Sequence, residues 1–175
     1  MARLDYAAGS GEVGDRIRLR RGGRLTALDR MLLHSPPIAD GWNSMLGAIR
    51  SDSTLPADVR ELAILRVAAI NGAAYEWSAH EPVAVRAGLN AEQIAAVRHG
   101  DPLPLTGIQC AALAYTDAMT KNINVEDEVF AALEEFFDDR QIVELTATVG
   151  AYNLVSRFLV ALEIHPGERA AEDNA

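Results

Sequence analysis

Three side chains in this sequence have the types and spacing to move a proton between them. Glu61 lies in a helical run, Asn71-Gly72 breaks that run, and Glu76 and His80 follow four residues apart. A carboxyl and an imidazole at that spacing share one helix face. With Glu61 arriving from the preceding helix, two carboxyls and one imidazole meet at one hairpin. Such a set suits acid–base chemistry, in which one group delivers a proton and another places positive charge beside a developing electron pair. A metal set can be drawn from the same three residues. No His-x3-His frame accompanies it, however, and no metal is expected.

Two helices must position these groups. From Pro56 to Ile70 the residues Val59, Leu62, Ala63, Leu65, Val67 and Ala69 keep an apolar helical face without any Gly, and Pro56 sits where a first turn tolerates it. Helical patterning resumes from Ala74 to Ala87, and Gly88 is the residue type found just past a helix end. In an antiparallel hairpin, Glu61 stands 11 residues before Gly72 and His80 stands 8 after it. That offset is about 4.5 Å along the axis, which side chains span. Ala73, Val83, Ala84 and Ala87 make the face of Glu76 and His80 mostly apolar, so the pair is expected to be partly buried. Glu61 also has a structural reading, as an acid near a helix N-terminus or as a partner for Arg60 or Arg66.

The run Arg60-Glu61-Leu62-Ala63-Ile64-Leu65-Arg66-Val67, followed by Tyr75-Glu76-Trp77 and His80, resembles the carboxymuconolactone decarboxylase-like family, which also contains the alkylhydroperoxidase D proteins. The likeness extends from the His34-Ser35-Pro36-Pro37 turn to the run Tyr152-Asn153-Leu154-Val155-Ser156-Arg157-Phe158. In the peroxidase branch a Cys-x-x-Cys pair stands between the glutamate and the histidine. The matching positions here hold Ala73 and Glu76, and Cys110 is the single cysteine of the chain. Dithiol peroxidase chemistry is therefore not expected.

The resemblance implies an all-α compact bundle of the alkylhydroperoxidase D-like type, with about eight helices. It also implies a cofactor-independent lyase-like enzyme acting on a small organic acid or lactone by decarboxylation or proton transfer. Glu61, Glu76 and His80 are the catalytic candidates, with His80 as the cation and either carboxyl as the proton donor. Tyr75, Trp77 and Tyr152 are candidates for contacting substrate. Tyr75 and Trp77 divide between pocket wall and core packing in an order the sequence leaves open. Two alternatives stand beside this: an alkylhydroperoxidase-like antioxidant with peroxiredoxin activity, using Cys110 alone, and a non-catalytic oligomer that binds small molecules. Ile108, Ala111, Ala112 and Leu113 around Cys110 offer no activating base or cation.

Composition sets outer bounds. A chain of 175 residues with 49% hydrophobic and 6% aromatic residues fits one Ala/Leu/Val-rich helical core. One cysteine and the absence of a long apolar run lead to the expectation of a cytoplasmic protein that does not enter membranes. The net charge of −9 divides into +3 on residues 1–30 and −12 on the rest. Five arginines fall between Arg16 and Arg24. They read as a strap on the acidic body or on a neighbouring subunit in preference to a nucleic-acid arm, because no aromatics interleave them. The apolar excess predicts a homo-oligomer, and the resemblance implies one commonly built on trimers.

Along the chain, residues 1–23 read as an irregular basic arm broken by glycines, 24–165 as the helical domain, and 166–175 as a polar, frayed tail. Helices are expected from Leu25 to a Ser35-Pro36-Pro37 stop, from Ile38 to Ile49, and from Asn90, with Gln93 closing a capping box, to Gly100. Three more follow: one after Thr106, one beginning at Asn124 to Asp127, and a long one from Asp139 to Glu163. Trp42 reads as core, and His34, His99 and His165 as helix-end residues. Gly9, Gly11 and Gly14 have dinucleotide-fingerprint spacing without the strand and helix that such a loop requires.

Overall fold

A computed structural model of the chain describes residues 1–168. The described residues form nine α-helices and no strand: α1 (Glu12–Arg20), α2 (Ala27–Leu32), α3 (Pro36–Ser51), α4 (Ala57–Ile70), α5 (Ala74–Ala87), α6 (Ala91–His99), α7 (Gly107–Lys121), α8 (Asp127–Glu134) and α9 (Asp139–Ala161). They fall into two compact units. One holds Met1–Asp52 with the described residues from Ala161 onward, and the other holds Ser53–Val160.

In the first unit the expected irregular arm contains α1, which is the helix beyond the eight expected. The glycines that read as breakers have another use. Gly14 lies inside the helix, and a Cβ there would stand 2.1 Å from the Gly9 carbonyl oxygen, so its bare Cα lets the incoming chain lie against the helix. The arginines of α1 are engaged locally. Arg16 pairs with Glu12 and Asp40, Arg18 with Asp15, and Arg21, just after the helix, with the buried Asp29. Thr26 and Asp29 close a capping box at the start of α2. Pro36 and Pro37 start a helix where a stop was expected. They occupy the first turn of α3, whose N–H groups have no intrahelical acceptor, so proline sacrifices nothing there. Trp42 and Leu46 of α3 are buried, as expected of Trp42.

In the second unit α4 is the central helix. Val59, Leu62, Ala63, Ile64, Leu65 and Val67 are completely buried, and α5, α6 and α7 pack on α4. A helix apolar on all sides belongs inside a bundle. Its two interior charged residues, Glu61 and Arg66, each have partners. Arg66 donates to Asp117 of α7 and to the Val97 and Arg98 carbonyls of α6. At the far end, Glu144 of α9 accepts from the Ser53 and Thr54 hydroxyls and from the Thr54 and Leu55 backbone N–H groups, tying α9 to the entrance of α4.

Boundaries differ from expectation at a few places. The helix expected near Asn124 is capped by Glu126, because Ile123 takes a left-handed φ of 67° and turns the chain first. α9 stops at Ala161, two residues early, and Glu163 then also adopts positive φ. Of the expected tail, residues 169–175 lie outside the described residues.

Candidate functional site

The α4–α5 hairpin closes as its spacing predicts. His80 on α5 lies against Glu61 on α4, with Nδ1–H donating to the Glu61 carboxylate at 2.8 Å. Glu61 is 2% exposed, and its other oxygen stands 3.5 Å from the Arg60 guanidinium. The partner reading of Glu61 thus holds alongside the histidine contact, with Arg60 rather than Arg66. Because Nδ1 faces Glu61, the ring presents Nε2 away from α4. The Tyr152 ring of α9 meets the imidazole edge to face, with centroids 5.1 Å apart and planes at 89°.

The hairpin turn itself holds α9 in place. Asn71, read from the sequence as a helix breaker, donates its amide to Asn153 Oδ1 at 3.0 Å and Ser156 Oγ at 2.7 Å. Asn153 also donates to Thr120 of α7. These bonds set the register of α9 and so bring Tyr152 opposite His80. Asn71 and Asn153 are half-buried, and an amide withdrawn from water is costly unless its donors are matched, so the network favours one arrangement.

Glu76 is buried as deeply as Glu61 but differs from it in its partners. It is 1% exposed, and neither carboxyl oxygen has a hydrogen-bond partner among the described residues. Burial pushes its pKa up to about 9, so the group is a neutral acid at pH 7. One turn along α5 from His80, it lies roughly 5–6 Å from that residue between Cβ atoms. The site therefore combines a carboxyl that keeps its proton with an imidazole whose orientation a second carboxylate holds.

The remaining candidates spread out. Tyr75 is half-buried on α5, and Trp77 is buried on that helix, with the Arg98 guanidinium stacked on its ring. Trp77 thus packs in the core with its ring against Arg98. Cys110 is half-buried on α7, with Sγ near the Pro102 and Leu105 carbonyls and no ion pair among the described residues. His34 bonds the Asp5 carbonyl in the first unit. No group of three or more His, Cys, Asp or Glu converges as a metal ion requires among the described residues. Sequence reasoning overlooked Asn71, Asn153 and Asp117 as supports. Asn153 and Ser156, polar residues three apart and so on one face of α9, were the available signal.

The comparisons with known proteins agree with the helical fold. Residues 36–118, which include the whole α4–α5 hairpin, match the carboxymuconolactone decarboxylase family. No curated protein is detectably similar in sequence. Among solved structures, a protein of unknown function from Agrobacterium tumefaciens, described as a candidate antioxidant defence protein AhpD, is 27% identical, covering 79% of this chain and 97% of its own with a TM-score of 0.72. A peroxidase-related protein from Silicibacter sp. TM1040 superposes with a TM-score of 0.81 at 18% identity, covering 97% of this chain and 93% of its own. The debrominase Bmp8 in complex with 2,3,4-tribromopyrrole gives 0.73 at 18% identity, over 92% and 86%. The last two likenesses concern fold alone. The carboxymuconolactone decarboxylase family match over residues 36–118 thus lies on the hairpin that carries Glu61 and His80, and AhpD-like bundles share the helical fold.

Proposed function

We propose that the protein is a cofactor-independent enzyme that decarboxylates, or transfers a proton on, a small organic acid or lactone. The observation that carries this reading is Glu76, a buried and unpartnered carboxyl on the same helix face as His80. In a structural role such a group would be a liability, since burying a carboxyl without a hydrogen bond costs free energy. As a proton donor it is well placed, because its raised pKa keeps it protonated near neutrality.

The step runs as follows. The bond between the substrate carbon and its carboxylate breaks, and CO2 leaves. The bond's electron pair moves into the substrate's conjugated carbonyl, where the His80 ring, held by Glu61, faces the growing negative charge with an N–H. Glu76 then gives its proton to the substrate carbon, and the resulting carboxylate regains one from solvent before the next cycle. Net consumption is one proton for each CO2 released. Tyr152 contributes the wall that keeps the imidazole in place.

Self-association belongs to the same reading. Val143, Leu154 and Val160 of α9 are exposed, which supports a contact between copies of the chain, and the family resemblance favours an assembly built on trimers. No described helix is long and apolar enough to cross a membrane, and cytoplasmic placement is part of the proposal.

The test is CO2 release from a panel of unsaturated lactone carboxylic acids, with His80→Gln and Glu76→Gln beside the natural protein. Each substitution should lower turnover by roughly 10²–10⁴ while the helical circular-dichroism spectrum is retained. Activity that survives both changes, or that appears with no member of the panel, would remove the assignment. Hydroperoxide reduction supported by a thiol and abolished by Cys110→Ala would favour the antioxidant reading instead.

A further inference from the structure

Between the α4–α5 turn and the end of α6 lies an open cleft of about 260 Å³, and none of Glu61, Glu76 and His80 lines it. Ala68, Ala69, Gly72 and Ala73 form its small-residue walls, with Trp77 and Arg98 beside them. The guanidinium carbon of Arg98 stands 3.8 Å from the centroid of the Trp77 ring. Stacking of this kind orients the guanidinium plane and engages its face, leaving its edge N–H donors free. Among the described residues Arg98 has no ion pair, and its side chain has no hydrogen bond.

The platform under Arg98 is rigid. Arg66, buried on α4 and paired with Asp117, donates to the Val97 and Arg98 carbonyls at 3.0 and 3.1 Å. Gly100 makes this possible. It ends α6 with φ of +77°, and a Cβ there would lie 2.4 Å from the Arg66 guanidinium. The last turn of α6 is therefore clamped to α4, and the Arg98 side chain leaves a fixed backbone. In a chain of net charge −9, an oriented and unpaired arginine at the rim of an apolar cleft marks a place for an anion.

We infer that this cleft binds a small carboxylate with a flat apolar body, the carboxylate paired to the edge of Arg98 and the body seated against Trp77 and the alanines. A two-oxygen anion matches the one guanidinium edge on offer, whereas the alanine walls present no further side-chain donors for the three oxygens of a phosphate. The volume lies just below the range of about 300–1,000 Å³ common for small-molecule pockets, which favours a ring-sized acid over a nucleotide.

Benzoate is a direct probe, with benzamide as its neutral counterpart, followed by calorimetry and by the indole N–H resonance of Trp77. Benzoate should bind saturably and shift that resonance, and benzamide should bind at least about tenfold more weakly. Arg98→Gln should lower benzoate affinity by roughly 10–100-fold, the loss expected for one hydrogen-bonded charged pair. Arg98→Lys, which keeps the charge without the planar fork, should fall between the two. His80→Gln should leave benzoate binding unchanged, so the result is independent of catalysis. No saturable benzoate binding, equal affinity for benzamide, or an unaltered affinity in Arg98→Gln would overturn the inference. A loss in His80→Gln as large as that in Arg98→Gln would also overturn it, by locating the probe at the Glu61–His80 pair.

Discussion

Glu76 and Glu144 are two glutamates in the same unit, and their surroundings are opposite. Around Glu144 the chain supplies donors: the Ser53 and Thr54 hydroxyls, the Thr54 and Leu55 backbone N–H groups, and Arg140 one turn back on α9. Partial burial works to raise its pKa, but the hydrogen bonds from Thr54, Arg140 and Ser53 outweigh this and hold it at about 2. Around Glu76 the described residues supply no donor, and burial alone carries the pKa to about 9. One carboxyl is therefore a fixed anion that joins two helices, and the other is an acid that keeps its proton. Residue type does not decide which carboxyl keeps its proton in this bundle; the presence or absence of donors does.

The largest effect that can break this comparison is the pH dependence of stability. The folded pKa of Glu76 lies above its ordinary value of 4.5, so the folded state holds a proton that the unfolded state gives up. Stability from this group is full below pH 4.5 and is lost as pH rises through about 9, at roughly 1.4 kcal/mol per pH unit between those limits. Glu76→Gln, which cannot ionise, should gain on the natural protein steadily from pH 6 to pH 9 in guanidinium denaturation. Parallel pH profiles for the two proteins would show that Glu76 is solvated or partnered, and the contrast with Glu144 would vanish.

Glu144→Gln tests the other side. At pH 7 it should cost about 1–3 kcal/mol, since a charged acceptor of several donors becomes a neutral one. Here the folded pKa is depressed, so the stabilisation is present above pH 4.5 and lost as pH falls toward about 2. The gap between variant and natural protein should accordingly narrow below pH 4.5. A constant gap down to pH 3 would mean that packing, and not charge, is what Glu144 provides.

The smallest effect concerns Cys110, which belongs to neither region. Cys110→Ala should change stability by no more than about 0.5 kcal/mol, and hydroperoxide reduction with a dithiol donor should be negligible both before and after the substitution. A loss of several kcal/mol on thermal unfolding would reveal a core role that its half-buried position and two distant carbonyl contacts do not suggest.

Legibility followed the range of the forces involved. The hairpin of α4 and α5 was readable to within a residue at each end, because its apolar periodicity, the Asn71-Gly72 turn and the Gly88 stop are all local signals. The meeting of Glu61 with His80 followed from the same counting. The glycine-rich arm misled because glycine both breaks helices and permits close packing, and only the position of Gly9 against Gly14 distinguishes the two uses. Pro36-Pro37 misled in a similar way, since proline marks either side of a helix boundary.

By itself the sequence determined the helical class, the hairpin that brings an imidazole to a carboxylate, and the absence of a cysteine pair at Ala73 and Glu76. These depend on residue type and on spacings of a few positions, which the helix repeat converts into geometry. Tertiary structure alone decided that Glu61 is paired and Glu76 is not, that Arg66 serves α6 and α7 instead of Glu61, and that Asn71 sets α9 so that Tyr152 meets His80. Each of these depends on which donors lie within about 3 Å and on how completely water is excluded. Segments distant in the chain supply both conditions, through a packing that no local pattern encodes.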